Sequence, residues 1–250
     1  MGNDRHISLD GETCVVLAGG LGTRLRSVLP EIPKPMAPIR DKPFLEHLLC
    51  WIARSGIRRA VLSSGYRHEI IEEYFRNGES VGLELIYSVE QKPLGTWGAL
   101  RQASRHVDRN EFIALNGDSW LEVDLCQLFN FHINCGGVAT LAAAHVMDSS
   151  RFGSLQMNLS GRILRFNEKS AGGDGWINGG IYVLSQRVFG LVPMEAMSLE
   201  KQAFPRLVEE GIYALKAPGI FVDIGLPEEY MKLESSAEEW MTKLHGTKAC

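Results

Sequence analysis

Short apolar runs alternate with amphipathic segments along most of this chain. Residues 14–18 (Cys14-Val15-Val16-Leu17-Ala18) form an unbroken apolar run, the pattern of a strand covered on both faces. Residues 44–55 repeat Leu45, Leu48, Leu49 and Ile52 at helical spacing, and Gly56 stops the helix. Further strands are predicted at 60–63, 83–87, 112–115 and 138–144. Helices are predicted at 68–75, with Ile70, Ile71 and Tyr74 inward, at 98–106, and at 124–134. The last has Leu125, Leu128 and Phe129 on its core face and Asp124 as its cap. This alternation predicts an α/β fold, a mainly parallel sheet layered with helices on both sides.

After Met147 the pattern changes. Residues 153–158, 163–168 and 178–184 read as strands of an antiparallel or mixed addition that lids a ligand. A helix at 199–210, short strands at 213–216 and 220–222, and a final helix at 227–243 follow. Pro227 suits the first turn of that helix. Residues 170–175 (SAGGDG) read as a mobile loop. There is no repeat and no low-complexity linker, so residues 1–250 read as a single domain with a flexible tail over 1–11.

The first strand ends in Gly19-Gly20-Leu21-Gly22-Thr23-Arg24-Leu25. Three glycines in four positions let backbone N–H groups approach a ligand closely. Arg24 adds a cationic fork, and Lys34 follows between Pro33 and Pro35, which are expected to hold it extended. Backbone donors plus two cations suit a polyphosphate. Leu25 stands where a dinucleotide fingerprint needs its third glycine, and no Gly-Lys pair exists for a Walker loop. Asp118 follows the run at 112–115 through Asn116-Gly117, and Asp223 follows the run at 220–222. Ligands of open α/β sheets gather at such carboxyl ends.

The run G-G-x-G-T-R-L with a downstream P-K-P-M resembles the sugar-1-phosphate nucleotidyltransferases, and the resemblance extends over residues 14–230. It implies a Rossmann-like, GT-A type fold whose N-terminal half holds the nucleotide and whose C-terminal half holds the sugar. By resemblance, Leu17, Ala18, Gly19, Gly20, Gly22, Thr23, Arg24 and Lys34 cradle the nucleotide. Gly95 and Thr96, in Pro93-Leu94-Gly95-Thr96, read the base, while Asn116 and Gly117 complete the nucleotide site. Arg24, Lys34, Asp118 and Asp223 are the implied catalytic set, with Mg²⁺ as cofactor on Asp118 and Asp223. Glu168 and Lys169 in Phe166-Asn167-Glu168-Lys169, and Asn178 and Gly179 in Asn178-x-Gly, are the implied sugar-phosphate residues. Within the family the run looks closest to guanylyltransferases acting on D-glycero-α-D-manno-heptose 1-phosphate. The implied partners are therefore GTP and that sugar phosphate. Mannose 1-phosphate with GTP, or UTP, dTTP or CTP with another sugar 1-phosphate, are alternatives, and an inactive nucleotide-sugar-binding regulatory subunit is another. Trp97 stands where the family carries a small residue and is expected to reshape the pocket floor.

Composition narrows the partners. The net charge is −4 with 22% charged residues, which gives no basic excess for nucleic acid. No apolar run approaches the roughly 20 residues of a membrane span. The five cysteines form no C-x-x-C pair, which suits a reducing cytoplasm. His132 and Cys135 lack two further ligands for zinc. The oligomeric state stays open, a homo-oligomer included.

Overall fold

A computed structural model describes residues 8–20, 22, 24–25, 28–167, 172–193 and 198–246. Its centre is a seven-stranded sheet. The N-terminal strands are β1 (Thr13–Leu17), the hairpin β2 (Pro38–Ile39) and β3 (Lys42–Pro43), β4 (Arg59–Ser64) and β5 (Glu84–Val89). Then come β6 (Glu111–Asn116), β7 (Ser119–Leu121) and β8 (Ala139–Val146), and the hairpin β9 (Leu155–Met157) and β10 (Ile163–Phe166). The long β11 (Gly175–Ser185), β12 (Ile212–Ala217) and β13 (Phe221–Asp223) complete the set. The central order is β12-β8-β11-β6-β1-β4-β5. All neighbours run parallel except β11, which is antiparallel to both β6 and β8. The sheet is mixed and mainly parallel, as the alternation predicts.

Alternate residues of each strand enter different cores, which is why the strands read as continuous apolar runs. On β1, Cys14 and Val16 join one cluster and Val15 the other. On β6, Ile113 and Leu115 join the first, and Phe112 and Ala114 the second. The first layer holds α1 (Phe44–Arg54), α2 (His68–Phe75), α4 (Leu125–Cys135), α7 (Pro227–Ser235) and α8 (Ala237–Gly246). The second holds α3 (Gly95–Ala103), α5 (Val188–Leu191) and α6 (Phe204–Leu207). Leu9, inside the stretch read as a tail, is fully buried in the first core.

Several local expectations change. In α2 the buried residues are Ile71 and Phe75, whereas Tyr74 is exposed and donates its hydroxyl to Glu46. The helix expected at 199–210 is a π-turn (Leu199–Ala203) leading into α6. Pro205 has no N–H, so an uninterrupted i→i−4 ladder cannot form there. The final helix breaks into α7 and α8 at Ser236, where the Ser235 and Ser236 hydroxyls both donate to Lys232 O and compete with the ladder. The Asp124 cap forms as expected, accepting from Gln127 N. Cys14 is buried, Cys14, Cys50 and Cys135 are free thiols, and Cys126 is disulfide-bonded, which runs against the reducing compartment that the cysteine pattern suits. Among the described residues no helix is long and apolar enough to cross a membrane.

Candidate active site

Asn116, Asp118 and Asp223 sit at the carboxyl ends of β6 and β13, and Arg24 and Lys34 follow β1. Proline chemistry sets Lys34. Pro33 is extended (φ −65°, ψ 145°), but Lys34 then opens a one-turn 3-10 helix (Lys34–Met36) rather than continuing extended. Pro35 tolerates that first turn because its missing N–H would have no partner there. The turn leaves only 10% of the Lys34 side chain exposed.

Asp118 arrives by another route. Leu17 pairs with Asn116 across β1 and β6, and Leu17 O accepts from Gly117 N at 2.8 Å. A Cβ on Gly117 would lie 2.9 Å from Leu17 O, so a side chain has no room. The chain then turns into β7, which pairs with β13 in the register Asp223↔Ser119. Ile224 N donates to Asp118 O at 3.0 Å. This small antiparallel pair brings the two aspartates together from positions far apart in the chain.

Lys34 closes the group. Its Nζ lies 2.5 Å from Asp118 Oδ2 and 3.7 Å from Asp223 Oδ1. Asp223 Oδ1 also accepts from Gly225 N at 2.7 Å. Burial first, then the charge of Asp118, pushes the Asp223 carboxyl above its ordinary range, while Lys34 and the Gly225 N–H pull it back. The pair is rich in oxygen, has no soft donor, and is short of positive charge. Mg²⁺ takes one or two carboxylates and completes its shell with phosphate and water, so these residues fit it. Among the described residues no group of three or more His, Cys, Asp or Glu is arranged to hold an ion, so substrate oxygens would supply the remainder. His132 is committed elsewhere, to Thr140 and Glu111.

The glycine loop borders this group. Gly22 has φ +58°, and a Cβ there would stand 3.0 Å from Lys34 Cβ. Gly20 is open and exposed, and Arg24 is exposed. Ala18 N is bound to Ser63 O. Thr23, Glu168 and Lys169 lie outside the described residues, as do Ser170 and Ala171 of the loop at 170–175.

Other predicted residues have internal tasks. Helix α3 starts at Gly95, three residues before the predicted start. The Thr96 hydroxyl accepts from Leu199 N at 2.8 Å and donates to Glu200 Oε2 at 3.4 Å, tying α3 to the π-turn. Trp97, expected at a pocket floor, packs into the second core. It is fully buried, packs on Phe189 with centroids 5.1 Å apart, and donates its indole N–H to Pro193 O at 3.2 Å. An indole is accepted here because the second core receives it. Gly179 is buried, with a would-be Cβ 2.5 Å from Leu121 Cδ2. Asn178 binds Tyr182 and Gly180.

One carboxylate carried no role in the sequence reading. Glu90 follows the end of β5, its Oε2 accepts from Leu94 N at 2.9 Å, and its Oε1 occupies the space a Gly19 Cβ would need. Burial raises its pKa, and the Leu94 N–H opposes this. Its position at a strand's carboxyl end was the available signal.

Together, the sheet topology and the glycine loop, lysine and two aspartates gathered at the strands' carboxyl ends define a phosphate-handling α/β protein. The chain belongs to the nucleotidyl transferase family, whose model matches residues 13–239. It is 37% identical over 229 residues to D-glycero-alpha-D-manno-heptose 1-phosphate guanylyltransferase of Aneurinibacillus thermoaerophilus, covering 91% of this chain and 99% of that one. It is 38% identical to the enzyme of the same name from Campylobacter jejuni, covering 86% and 96%. Among solved structures, HddC from Yersinia pseudotuberculosis complexed with GMP-PN superposes with a TM-score of 0.81 at 33% identity, covering 90% of this chain and 99% of that one.

Proposed function

We propose that this nucleotidyltransferase joins GTP to D-glycero-α-D-manno-heptose 1-phosphate, releasing pyrophosphate and forming a GDP-sugar. The observation that carries this reading is the meeting of Lys34, Asp118 and Asp223 within 3.7 Å. The names of the relatives supply the guanylyl group and the heptose. The reaction needs no protein nucleophile. A sugar-phosphate oxygen, already anionic, attacks the α-phosphorus in line; the new P–O bond forms as the bond to pyrophosphate breaks. The protein supplies position and charge.

Lys34 neutralises the α-phosphate, where charge builds. Unit charges 4 Å apart interact by about 4 kcal/mol at an effective dielectric of 20, enough to matter at the barrier. Arg24, Thr23 and the Gly19, Gly20 and Gly22 backbone are assigned to the outer phosphates. Mg²⁺ bound by Asp118 and Asp223 would offset phosphate charge. Glu90 accepts from the N–H edge of guanine, the acceptor-only chemistry an ionised carboxylate provides. Gly95 gives the base close backbone approach. Glu168, Lys169, Asn178 and Gly179 receive the sugar phosphate. The chain acts as one catalytic domain, in the cytoplasm.

The test is a panel of GTP, UTP, CTP, dTTP and ATP against heptose and mannose 1-phosphates, with pyrophosphate release as readout. GTP with heptose 1-phosphate is expected to be fastest; preference for another base or sugar reassigns the substrate. Nucleotide binding without any release would instead mark a regulatory subunit.

A further inference from the structure

Arg151 lies outside the Lys34, Asp118 and Asp223 group, in the tight turn between β8 and β9. Ser150 N donates to Asp148 Oδ1 at 2.9 Å, and Phe152 N and Gly153 N both donate to Ser149 O at 3.0 Å. Ser149 N donates in turn to Gly173 O at 3.0 Å, and a Cβ on Gly172 would lie 2.9 Å from Asp148 Oδ1. The turn is thereby pinned to the stretch that follows Glu168 and Lys169 in the chain.

From this turn two contacts reach the corner that bears Asp223. The Phe152 ring meets Phe221 edge-on, with centroids 5.6 Å apart. Phe221 and Asp223 are two apart on β13, so their side chains leave the same face of the strand. Arg151 Nη1 donates to Glu229 Oε1 at 2.9 Å, and Glu229 stands in the first turn of α7, the helix that begins at Pro227. The guanidinium also lies over the Phe152 ring, 5.2 Å from its centroid. The chain from Phe221 to Glu229 is therefore gripped near both ends. Between them, Asp223 Oδ1 accepts from Gly225 N. The second cation near Glu229, Lys232, is farther away at 3.7 Å and its side chain is exposed.

An ion pair whose side chains are 36% and 31% exposed adds little to folding stability, so its placement needs another explanation. Metal-binding carboxylates are commonly oriented by partners one step removed from the ion. We infer that Arg151 is a positioning residue that clamps the β13–α7 corner and so sets the Asp223 carboxylate for Mg²⁺. This rests on the reading of Asp223 as a metal ligand given above. Arg151 touches neither the ion nor a substrate in this role. It acts through Glu229 at one end of the corner and through Phe152 and Phe221 at the other.

The test is Arg151→Met in the full chain, which keeps the aliphatic stem over Phe152 and removes the guanidinium. Mn²⁺, as a spectroscopic stand-in for Mg²⁺, is titrated by electron paramagnetic resonance with a non-hydrolysable GTP analogue present. Mn²⁺ affinity is expected to fall by about tenfold, the usual cost of losing such an outer partner. In turnover, the Mg²⁺ concentration for half-maximal rate should rise by a similar factor, while KM for the sugar phosphate stays within about twofold. Arg151→Lys keeps a cation opposite Glu229 and should recover part of the loss. Glu229→Gln should weaken Mn²⁺ binding in the same direction, and the double variant should be no weaker than Arg151→Met alone. Unchanged Mn²⁺ affinity in Arg151→Met, or additive losses in the double variant, overturns the inference. A raised KM for the sugar phosphate with Mn²⁺ affinity intact would make Arg151 a direct phosphate contact and overturns it too. Should Arg151→Met fail to fold, Glu229→Gln breaks the same ion pair from α7, and unchanged affinity there counts equally against it. Mn²⁺ affinity indifferent to Asp223→Asn removes the metal reading and the clamp together. A wild type that binds Mn²⁺ through Asp223 yet releases no pyrophosphate overturns the proposed function alone.

Discussion

Lys34 Nζ and Asp118 Oδ2 are 2.5 Å apart although 84 positions separate them in the chain. The lysine comes from a proline-braced turn after β1, the aspartate from the turn after β6, and β1 and β6 are neighbours in the sheet. Adjacent strands thus bring their trailing loops to one place, and the ion pair forms there.

Replacing either partner tests its role directly. Lys34→Ala and Asp118→Ala are each expected to lower kcat by at least about 10²-fold, the usual effect of removing a preorganised group at a developing charge. Both groups lie at the rim rather than in either apolar core, so the circular dichroism spectrum should be retained. Pyrophosphate release measures the loss; near-normal turnover in either variant rejects the assignment.

Asp223 offers a separate prediction about the metal. Chelation with EDTA should abolish release, and added Mg²⁺ should restore it. Asp223→Asn removes one anionic oxygen donor and is expected to raise the Mg²⁺ concentration for half-maximal rate by about tenfold or more. An unchanged Mg²⁺ requirement would remove Asp223 from the metal site.

Glu90 predicts a pH signature. Burial, the larger cause, holds its folded pKa above the ordinary carboxylate range, and the Leu94 N–H opposes it. A carboxyl with a raised folded pKa favours the folded state below its unfolded pKa, and that contribution is lost as pH rises through the folded value. Glu90→Gln should therefore unfold at a higher temperature than wild type near neutral pH, with the gap closing below about pH 4.5. The same substitution should raise KM for GTP, because the amide presents a donor where guanine needs an acceptor. Melting curves across pH and initial rates check the two parts separately.

Trp97 predicts stability without specificity. It is fully buried against Phe189 in the second core. Trp97→Ala should cost about 3–5 kcal/mol of folding stability by denaturant titration. Trp97→Phe, which keeps most of the packing, should leave the preference among nucleoside triphosphates unchanged. A shift in base preference would return Trp97 to the pocket.

How much of this was legible in advance differs between elements. The strand at 14–18 lies within one residue of the observed β1, and His68–Phe75 matches α2 at both ends, because continuous apolar runs and helical spacing are local signals. The inward face of α2 was misjudged: Tyr74 is amphipathic, and only the approach of Glu46 from α1 determines that its hydroxyl turns outward. Trp97 shows where a local signal stops. A bulky residue beside a glycine motif suggests an altered pocket, but α3 rotates it toward Phe189.

The chain by itself determined the succession of strands and helices, the glycine loop, and the identity of the charged residues, since these depend on side-chain period and local backbone freedom. Only the tertiary structure decided that Lys34, Asp118 and Asp223 share one point and that Glu90 abuts Gly19. Those relationships depend on which strands become neighbours and in what register. Neighbours and register are fixed by burying apolar surface between distant segments, a quantity no single stretch of residues contains.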